Sequence, residues 1–247
     1  MSLLDLDDKP VVQTQPQPEL QPQPTNVNWN MPFVVPPVQI QATNNQNNNQ
    51  TWNWANAAIS SPINPQVNVP INPCDYNQTK AATIAIANYE GPVYLRFGRP
   101  SVPNFTPADQ HFEIGKAVML NEGADVSIFA TGHLVWKAIE AGEQLAAMGI
   151  NAEIINIHTI KPLDNSAVIA SAKKTRCVVT AEEHQMNGGL GDSIAQLLAR
   201  ELPTPIEMVA VNDSFGESGT PDQLMTKYGL DAVNIVEAVK KVIARKS

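Results

Sequence analysis

Residues 126–134, with the sequence VSIFATGHL, decide how this chain folds. The first five are apolar except for one serine, which is typical of a strand buried on both faces of a sheet. The next three turn the chain, and an apolar periodicity from His133 to Met148 predicts a helix that ends at Gly149. A buried strand leading directly into a helix is the unit from which parallel sheets are built.

The same alternation continues towards the C-terminus. The predicted strands are 152–156, 176–180 and 206–211, and the predicted helices are 164–174, 190–202, 221–228 and 232–245. Strands that alternate with helices give a mostly parallel sheet with helices on both faces. We therefore predict that residues 108–247 form one doubly wound α/β domain.

The preceding segment, residues 71–107, predicts a shorter folded unit and a connector. Asp75 begins a capping pattern for a helix over 76–88, a short strand follows at 93–95, and the connector over 100–107 is rich in proline. Residues 67–71 alternate valine and isoleucine with other residues, which indicates one further strand. The proline within that strand restricts it to the edge of a sheet.

Residues 1–70 have a different composition. Between Lys9 and Asp75 the only charged residue is Glu19, and glutamine, asparagine and proline dominate. Such a segment buries too little apolar surface to offset the entropy lost on ordering, so we predict that it is disordered. Its scattered tryptophans leave a second interpretation open, in which this region binds a partner.

Charge and cysteine content exclude several classes of function. The formal net charge is -8, which disfavours nucleic acid and anionic membrane surfaces as partners. Cys74 and Cys177 are far apart and show no metal-ligand spacing, so neither a disulfide framework nor a zinc site is indicated. Cys177 lies in an apolar run and is interpreted as a small buried residue. No segment reaches the roughly 18 apolar residues of a membrane span, and we expect a cytoplasmic protein.

Four motifs together resemble a known family. They are VSIFATGHL (126–134), NIHTIKPLD (156–164), TAEEHQMNGGLG (180–191) and NDSFGESGTPDQLMTKYGLD (212–231). In this order they resemble the C-terminal domain of transketolase, and residues 71–100 are similar to the end of its pyrimidine-binding domain. The resemblance covers residues 71–247 and is closest to split transketolases, whose C-terminal half is a separate subunit.

The resemblance implies transfer of a two-carbon ketol unit between sugar phosphates, with thiamine diphosphate and magnesium in the complete enzyme. In that family the cofactor-activating glutamate and the aromatic cradle belong to a part of the pyrimidine-binding domain that residues 1–70 do not resemble. The diphosphate-binding domain and its metal ligands are expected on an N-terminal transketolase subunit. We therefore predict that this chain alone is inactive, binds no thiamine diphosphate and no metal, and supplies rim contacts and contacts within a dimer.

Among candidate site residues, the resemblance implies that Arg99 binds the sugar phosphate. A guanidinium suits that role because it offers planar, bidentate donors, although a surface arginine in a loop is the alternative. Arg96 is expected to be structural. Glu182, Glu183 and His184 follow a strand, where they would serve either acid–base chemistry or hydrogen bonding at an interface or rim, and the second role is favoured.

The remaining motifs favour structural roles. Residues 188–191, GGLG, begin a helix, and a tight turn with close helix packing is favoured over an anion site. His133 and His158 are interpreted as turn or interface residues, and Trp136 as a core residue. Two other functions stay open: a noncatalytic interaction protein in which a Rossmann-like domain carries an adhesive tail, and a transketolase fragment joined to unrelated sequence.

Overall fold

The computed structural model describes residues 68–98 and 100–246 of the 247-residue chain. Its elements, in chain order, are β1 (Val69–Ile71), α1 (Tyr76–Ala87), β2 (Val93–Leu95), β3 (Val118–Asn121), β4 (Val126–Ala130), α2 (Leu134–Ala147), β5 (Ala152–Asn156), α3 (Asn165–Thr175), β6 (Val178–Gln185), α4 (Leu190–Glu201), β7 (Ile206–Val211), α5 (Pro221–Lys227) and α6 (Ala232–Ala244). None of these helices combines the length and the apolar character needed to cross a bilayer.

The main sheet has five strands in the order β3-β5-β4-β6-β7. Strands β5, β4, β6 and β7 are parallel, and β3 pairs antiparallel with β5 at one edge. The chain passes from β4 to β5 on one side and then returns to place β6 on the other side of β4. The predicted α/β fold with a mostly parallel sheet is therefore confirmed, and the strand order reverses between β4 and β6.

Helices cover both faces of this sheet, as expected for a doubly wound domain. One core joins Ile128 of β4 to α2 and α6, through residues such as Leu145 and Ile235. The other joins Phe129, the next residue of β4, to α3 and α4. Because successive side chains of a strand point to opposite faces, two neighbouring residues of β4 supply two separate cores. Burying each large apolar side chain is worth about 1.5–3 kcal/mol.

Residues 69–71 form the predicted edge strand, which pairs parallel with β2 in a separate two-stranded sheet. Helix α1 packs on it, and Phe112 completes a small third core. Asp75 caps α1 by accepting a hydrogen bond from the Gln78 amide at 2.8 Å, as predicted. A bridge between Ile71 and Thr159 connects this unit to the larger domain. The predicted disorder over 1–70, and the functions based on that region, concern almost entirely residues 1–67, which lie outside the described residues.

Two local predictions were wrong, and one strand was missed. Strand β3 was not predicted at all. Strand β6 was predicted to begin at Arg176, but Arg176 has φ 63° and ends α3 in a left-handed conformation. Trp136 was assigned to the core, but it is only half-buried and stacks on Phe105 of the proline-rich connector, with ring centroids 5.7 Å apart. The burial of Cys177 is confirmed.

Candidate functional site

A cavity of about 160 Å³ lies where the carboxyl ends of β4 and β6 meet the small two-stranded sheet. In open α/β sheets, ligands bind outside the carboxyl ends of the strands at the point where the strand order reverses. The polar groups of this cavity come from both folded units and include Asn72, Arg96, Thr131, Glu182, Glu183 and His184. The structure thus brings the predicted residues Glu182, Glu183 and His184 together in one cavity. Asn72, Arg96 and Thr131 line the same cavity.

Glu182 holds the beginning of helix α4. It lies within β6 and is buried, and its two carboxylate oxygens accept hydrogen bonds from the Leu190 and Gly191 amides, each at 2.8 Å. A helix N-terminus has free amides and a partial positive charge, so a carboxylate is stabilising there. The free amides of the GGLG segment therefore bind the carboxylate of Glu182 from the same chain and leave no separate anion site there. The tight-turn interpretation accounts for these glycines.

Close packing explains why residue 189 is glycine. A Cβ atom at Gly189 would lie 2.0 Å from the Glu182 carboxylate, well inside contact distance. Burial raises the pKa of the Glu182 carboxyl above its ordinary value, and the Gly191 and Leu190 amides oppose that shift. Burial accounts for the raised pKa, and a pKa raised in this way does not by itself mark an acid–base catalyst.

Glu183 joins the two folded units. Its carboxylate pairs with the Arg96 guanidinium at 3.2 Å, and the same guanidinium also donates to the Glu183 backbone carbonyl at 3.3 Å. Arg96 follows β2 in the smaller unit, whereas Glu183 belongs to β6 of the larger one. The structural role expected for Arg96 fits this geometry, and the pair is partly shielded from solvent.

His184 is exposed, and its Nδ1 lies 3.2 Å from the carbonyl oxygen of Gln185. It lies near enough to Glu182 to act against the rise in the pKa of that carboxyl. In the described part of the chain, no hydrogen bond connects His184 to either neighbouring carboxylate. Among the described residues, His184 therefore forms no hydrogen-bonded acid–base dyad with Glu182 or Glu183. Arg99 lies outside the described residues.

Sequence reasoning missed two residues of this cavity, Asn72 and Thr131. Both are buried, and each directly follows a strand, β1 and β4 respectively. Asn72 Oδ1 and Thr131 Oγ1 have no hydrogen-bond partner among the described residues. Gly132, which follows Thr131, adopts φ +57°, a left-handed conformation that favours glycine. The sequence could have indicated both residues, because each is a polar residue directly after an apolar strand.

A second, larger cavity of about 520 Å³ lies beside the start of α1 and includes Cys74, Phe97 and His133. Burial, together with the charge of Asp75, strongly raises the pKa of the Cys74 thiol. A thiol held in its neutral form is a poor nucleophile and a poor metal ligand. This cavity therefore carries no reactive cysteine.

Neither cavity provides a metal site. Over residues 68–98 and 100–246, no three histidine, cysteine, aspartate or glutamate side chains are grouped so that they could hold a metal ion. Magnesium bound to a diphosphate requires oxygen ligands such as carboxylates. The described residues therefore show no group of three such side chains for a metal ion.

Comparison with known proteins identifies the family. Residues 115–235 match the family described as "Transketolase, C-terminal domain". The chain is 45% identical over 175 residues to the 6-deoxy-6-sulfo-D-fructose transketolase subunit SqwH of Clostridium sp., an alignment that covers 71% of this chain and 54% of the relative. It is 41% identical over 180 residues to a putative transketolase C-terminal section of Methanocaldococcus jannaschii, covering 70% of this chain and 56% of the relative.

A solved structure agrees with these sequences. It is described as "Split gene transketolase, inactive beta4 tetramer", and it is 45% identical with a TM-score of 0.71, covering 72% of this chain and 59% of that one. Residues 115–235 therefore match the transketolase C-terminal domain, and about 70% of the chain is similar to sections and subunits of transketolases. It spans little more than half the length of the relatives that it matches.

Proposed function

We propose that this chain is the C-terminal component of a transketolase assembled from two kinds of subunit, which transfers a two-carbon ketol unit between sugar phosphates. The observation that carries the proposal is the described domain itself, which matches subunits and sections of split transketolases at 45% and 41% identity. These relatives extend well beyond the matched region. The remaining parts of the catalytic centre are therefore assigned to other segments and to an N-terminal subunit.

Within such an assembly, we assign phosphate binding to Arg99 and a rim role to Glu182, Glu183 and His184. Glu182 supports the rim by holding α4, and Glu183 supports it by fixing Arg96 across the junction between the two folded units. His184 is the exposed member of the set and is free to face a partner or substrate. Glu182 and Glu183 thus act as positioning residues, whereas Arg99 is assigned to contact the substrate.

Thiamine diphosphate and magnesium are assigned to the N-terminal subunit. This assignment rests on the chemistry of the described residues, which offer no grouped carboxylates or imidazoles for a metal. The solved relative is described as an inactive tetramer. By analogy, we propose that the present chain associates with copies of itself and is inactive until an N-terminal subunit joins it.

Isothermal titration calorimetry tests this assignment. Thiamine diphosphate is titrated with magnesium into the chain alone, into an N-terminal transketolase subunit alone, and into their mixture. We expect no saturable binding to the chain alone and saturable binding to the mixture. Tight binding by the chain alone would show that its own residues hold the cofactor and would refute the division of roles.

A further inference from the structure

Two residues that line the cavity at the carboxyl ends of β4 and β6 each carry a buried polar atom without a partner among the described residues. Asn72 is 7% exposed and Thr131 is 4% exposed, and both line this cavity. Neither Asn72 Oδ1 nor Thr131 Oγ1 makes a hydrogen bond within the described residues. Folded proteins rarely leave buried polar atoms unpaired because each one loses its hydration without compensation. Two such atoms in one cavity indicate a site whose hydrogen bonds are completed by a ligand.

The position of the cavity supports this interpretation. It lies where the strand order reverses, which is the usual place for small-molecule binding in doubly wound domains. Tyr94 at its wall is 53% exposed and His184 is exposed as well, so the cavity is open to solvent. Pro70 and Ile160 add apolar surface to the lining. The site thus combines apolar walls with a few convergent polar groups.

The charges of the cavity disfavour an anion. The Arg96 guanidinium is already paired with Glu183 at 3.2 Å, and the Glu182 carboxyl also lines the space. A phosphate would meet these carboxylates, and a fully ionised phosphate has no proton to donate to Asn72 Oδ1. A hydroxyl group, in contrast, can donate to the Asn72 amide oxygen and can either donate to or accept from Thr131.

We propose that this cavity binds a small, neutral, polyhydroxylated molecule, such as a free sugar or polyol without a phosphate group. Its hydroxyls complete the hydrogen bonding of Asn72 and Thr131, and its carbon skeleton lies against the Tyr94 ring and the apolar wall. The proposal does not rest on the transketolase activity of the chain. It concerns residues other than Arg99, to which phosphate binding is assigned above.

Direct titration of the full chain tests the proposal. Protein-observed NMR is recorded with D-ribose, with glycerol and with inorganic phosphate as separate probes. We expect saturable shifts with D-ribose or glycerol, and at least tenfold weaker binding of inorganic phosphate. The absence of saturation by both D-ribose and glycerol would overturn the proposal, because ordered water alone would then complete the site. Tighter binding of phosphate would overturn it in favour of an anion site.

A pair of threonine variants assigns the binding to this cavity. Thr131→Val keeps the side-chain shape but removes the hydroxyl, and we expect it to weaken D-ribose or glycerol binding at least tenfold. Thr180→Val is the matched control. Thr180 is also buried and its Oγ1 is also unpaired, but it faces Gly191 of α4 and does not line the cavity. Unchanged binding by Thr131→Val, or equal losses in both variants, would contradict the proposal.

Thermal melting provides an independent readout. Since Thr131 Oγ1 has no partner in the free chain, its removal does not break a hydrogen bond of the fold. We expect the melting midpoint of Thr131→Val to equal or exceed that of the unmodified chain, while ligand binding is lost. A clearly lower midpoint would show that the hydroxyl is paired within the fold, and the site would then not need a ligand.

Discussion

The carboxylate of Glu182 stabilises the start of α4 at the cost of burying a charge. Two amide donors stabilise the ionised form, while desolvation opposes it, and desolvation is the larger effect. Removing one acceptor should therefore expose an unpaired backbone donor inside the protein. At the residue scale, this balance has a measurable consequence for stability and for its dependence on pH.

We expect Glu182→Gln to lower the free energy of unfolding by about 1–3 kcal/mol, because its amide group places a donor against a backbone N–H. The pKa of this carboxyl is higher in the folded chain than in the unfolded chain. Its contribution to the stability of the fold therefore falls as the pH rises from 4.5, the ordinary pKa of the carboxyl, towards its pKa in the folded chain. Urea unfolding across this range should show a shallower decline for the variant than for the unmodified chain.

The control is Glu217→Gln, a change at an exposed residue that pairs with Lys227 at the surface. Its effect on the free energy of unfolding should be small compared with that of Glu182→Gln, because an ion pair at an exposed position contributes little. If the two glutamate variants were equally stable, the capping role of Glu182 would be wrong.

His158 provides the opposite pH dependence. The imidazole is buried against Phe112, with ring centroids 4.1 Å apart, and burial lowers its pKa from 6.5 to about 4. A histidine with a lowered folded pKa contributes fully above pH 6.5 and loses its contribution as the pH falls towards 4, here about 3 kcal/mol in total.

We expect His158→Gln to remove this acid-dependent loss, as measured by urea unfolding at several pH values between 4 and 7.5. His111→Gln, at an exposed histidine, controls for the loss of a histidine elsewhere. An unchanged pH dependence in His158→Gln would show that other groups cause the acid sensitivity.

The role proposed for Arg99 can be tested in a reconstituted enzyme. A charge-assisted hydrogen bond contributes about 1.5–3 kcal/mol, so Arg99→Ala should raise KM for a sugar phosphate by about tenfold or more. Arg99→Lys should give a KM between those of the unmodified chain and Arg99→Ala, because lysine keeps the charge but loses the bidentate geometry. Arg200→Ala, at an exposed position on α4, should leave KM unchanged. A normal KM for Arg99→Ala would assign phosphate binding to another residue.

At the scale of secondary structure, the sequence predicted the parallel strands and their helices because those strands begin as short, mostly apolar runs that alternate with helical patterns. Strand β3 was missed because it is a short edge strand of four residues, half of them exposed, and only its antiparallel pairing with β5 defines it. Strand β6 extends to Gln185 through two glutamates and a histidine. That extension has no apolar pattern by which the sequence could indicate it. The buried Glu182 is tolerated in it because the amides of α4 bind its carboxylate.

The candidate site was only partly predictable for a related reason. Glu182, Glu183 and His184 are consecutive and follow a predicted strand, so local sequence was sufficient to indicate them. Asn72 and Thr131 are far apart in sequence and meet only because β1 and β4 belong to sheets that pack together. Sequence spacing carries no information about that contact without the tertiary structure.

Asp75 links an element to the connector and provides the test at this scale. Its carboxylate accepts four hydrogen bonds: from the Gln78 amide at 2.8 Å, the Phe105 amide at 3.0 Å, and the Thr106 amide and hydroxyl at 2.8 and 2.7 Å. Asp75→Ala removes a helix cap and also leaves two connector amides unpaired. We expect a loss of about 2–4 kcal/mol in chemical denaturation.

The matched control is Asp231→Ala. Asp231 also precedes a helix, but its side chain makes no capping hydrogen bond. Its loss should cost less than about 0.5 kcal/mol. Equal destabilisation by the two changes would mean that neither the helix cap nor the connector contacts of Asp75 contribute to stability.

At the scale of the whole molecule, a complete α/β domain is joined to a much smaller unit of two strands and one helix. A two-stranded sheet is marginally stable by itself, and here it depends on α1 and on contacts with the larger domain. Two contacts help to hold this junction. One is the Arg96–Glu183 ion pair, and the other is the hydrogen bond that the Asn72 backbone N–H donates to the His158 backbone carbonyl at 2.8 Å. In the described part of the chain, the carboxyl ends of strands from both units therefore meet around one cavity.

We propose above that this chain completes a transketolase only together with an N-terminal subunit. The most direct measurement is ketol transfer from a sugar-phosphate donor to an acceptor, assayed for each subunit alone and for their mixture, with thiamine diphosphate and magnesium present. We expect activity only in the mixture, rising with added chain until a fixed subunit ratio is reached. Activity of the chain alone, or no activity in a mixture whose subunits demonstrably associate, would contradict it.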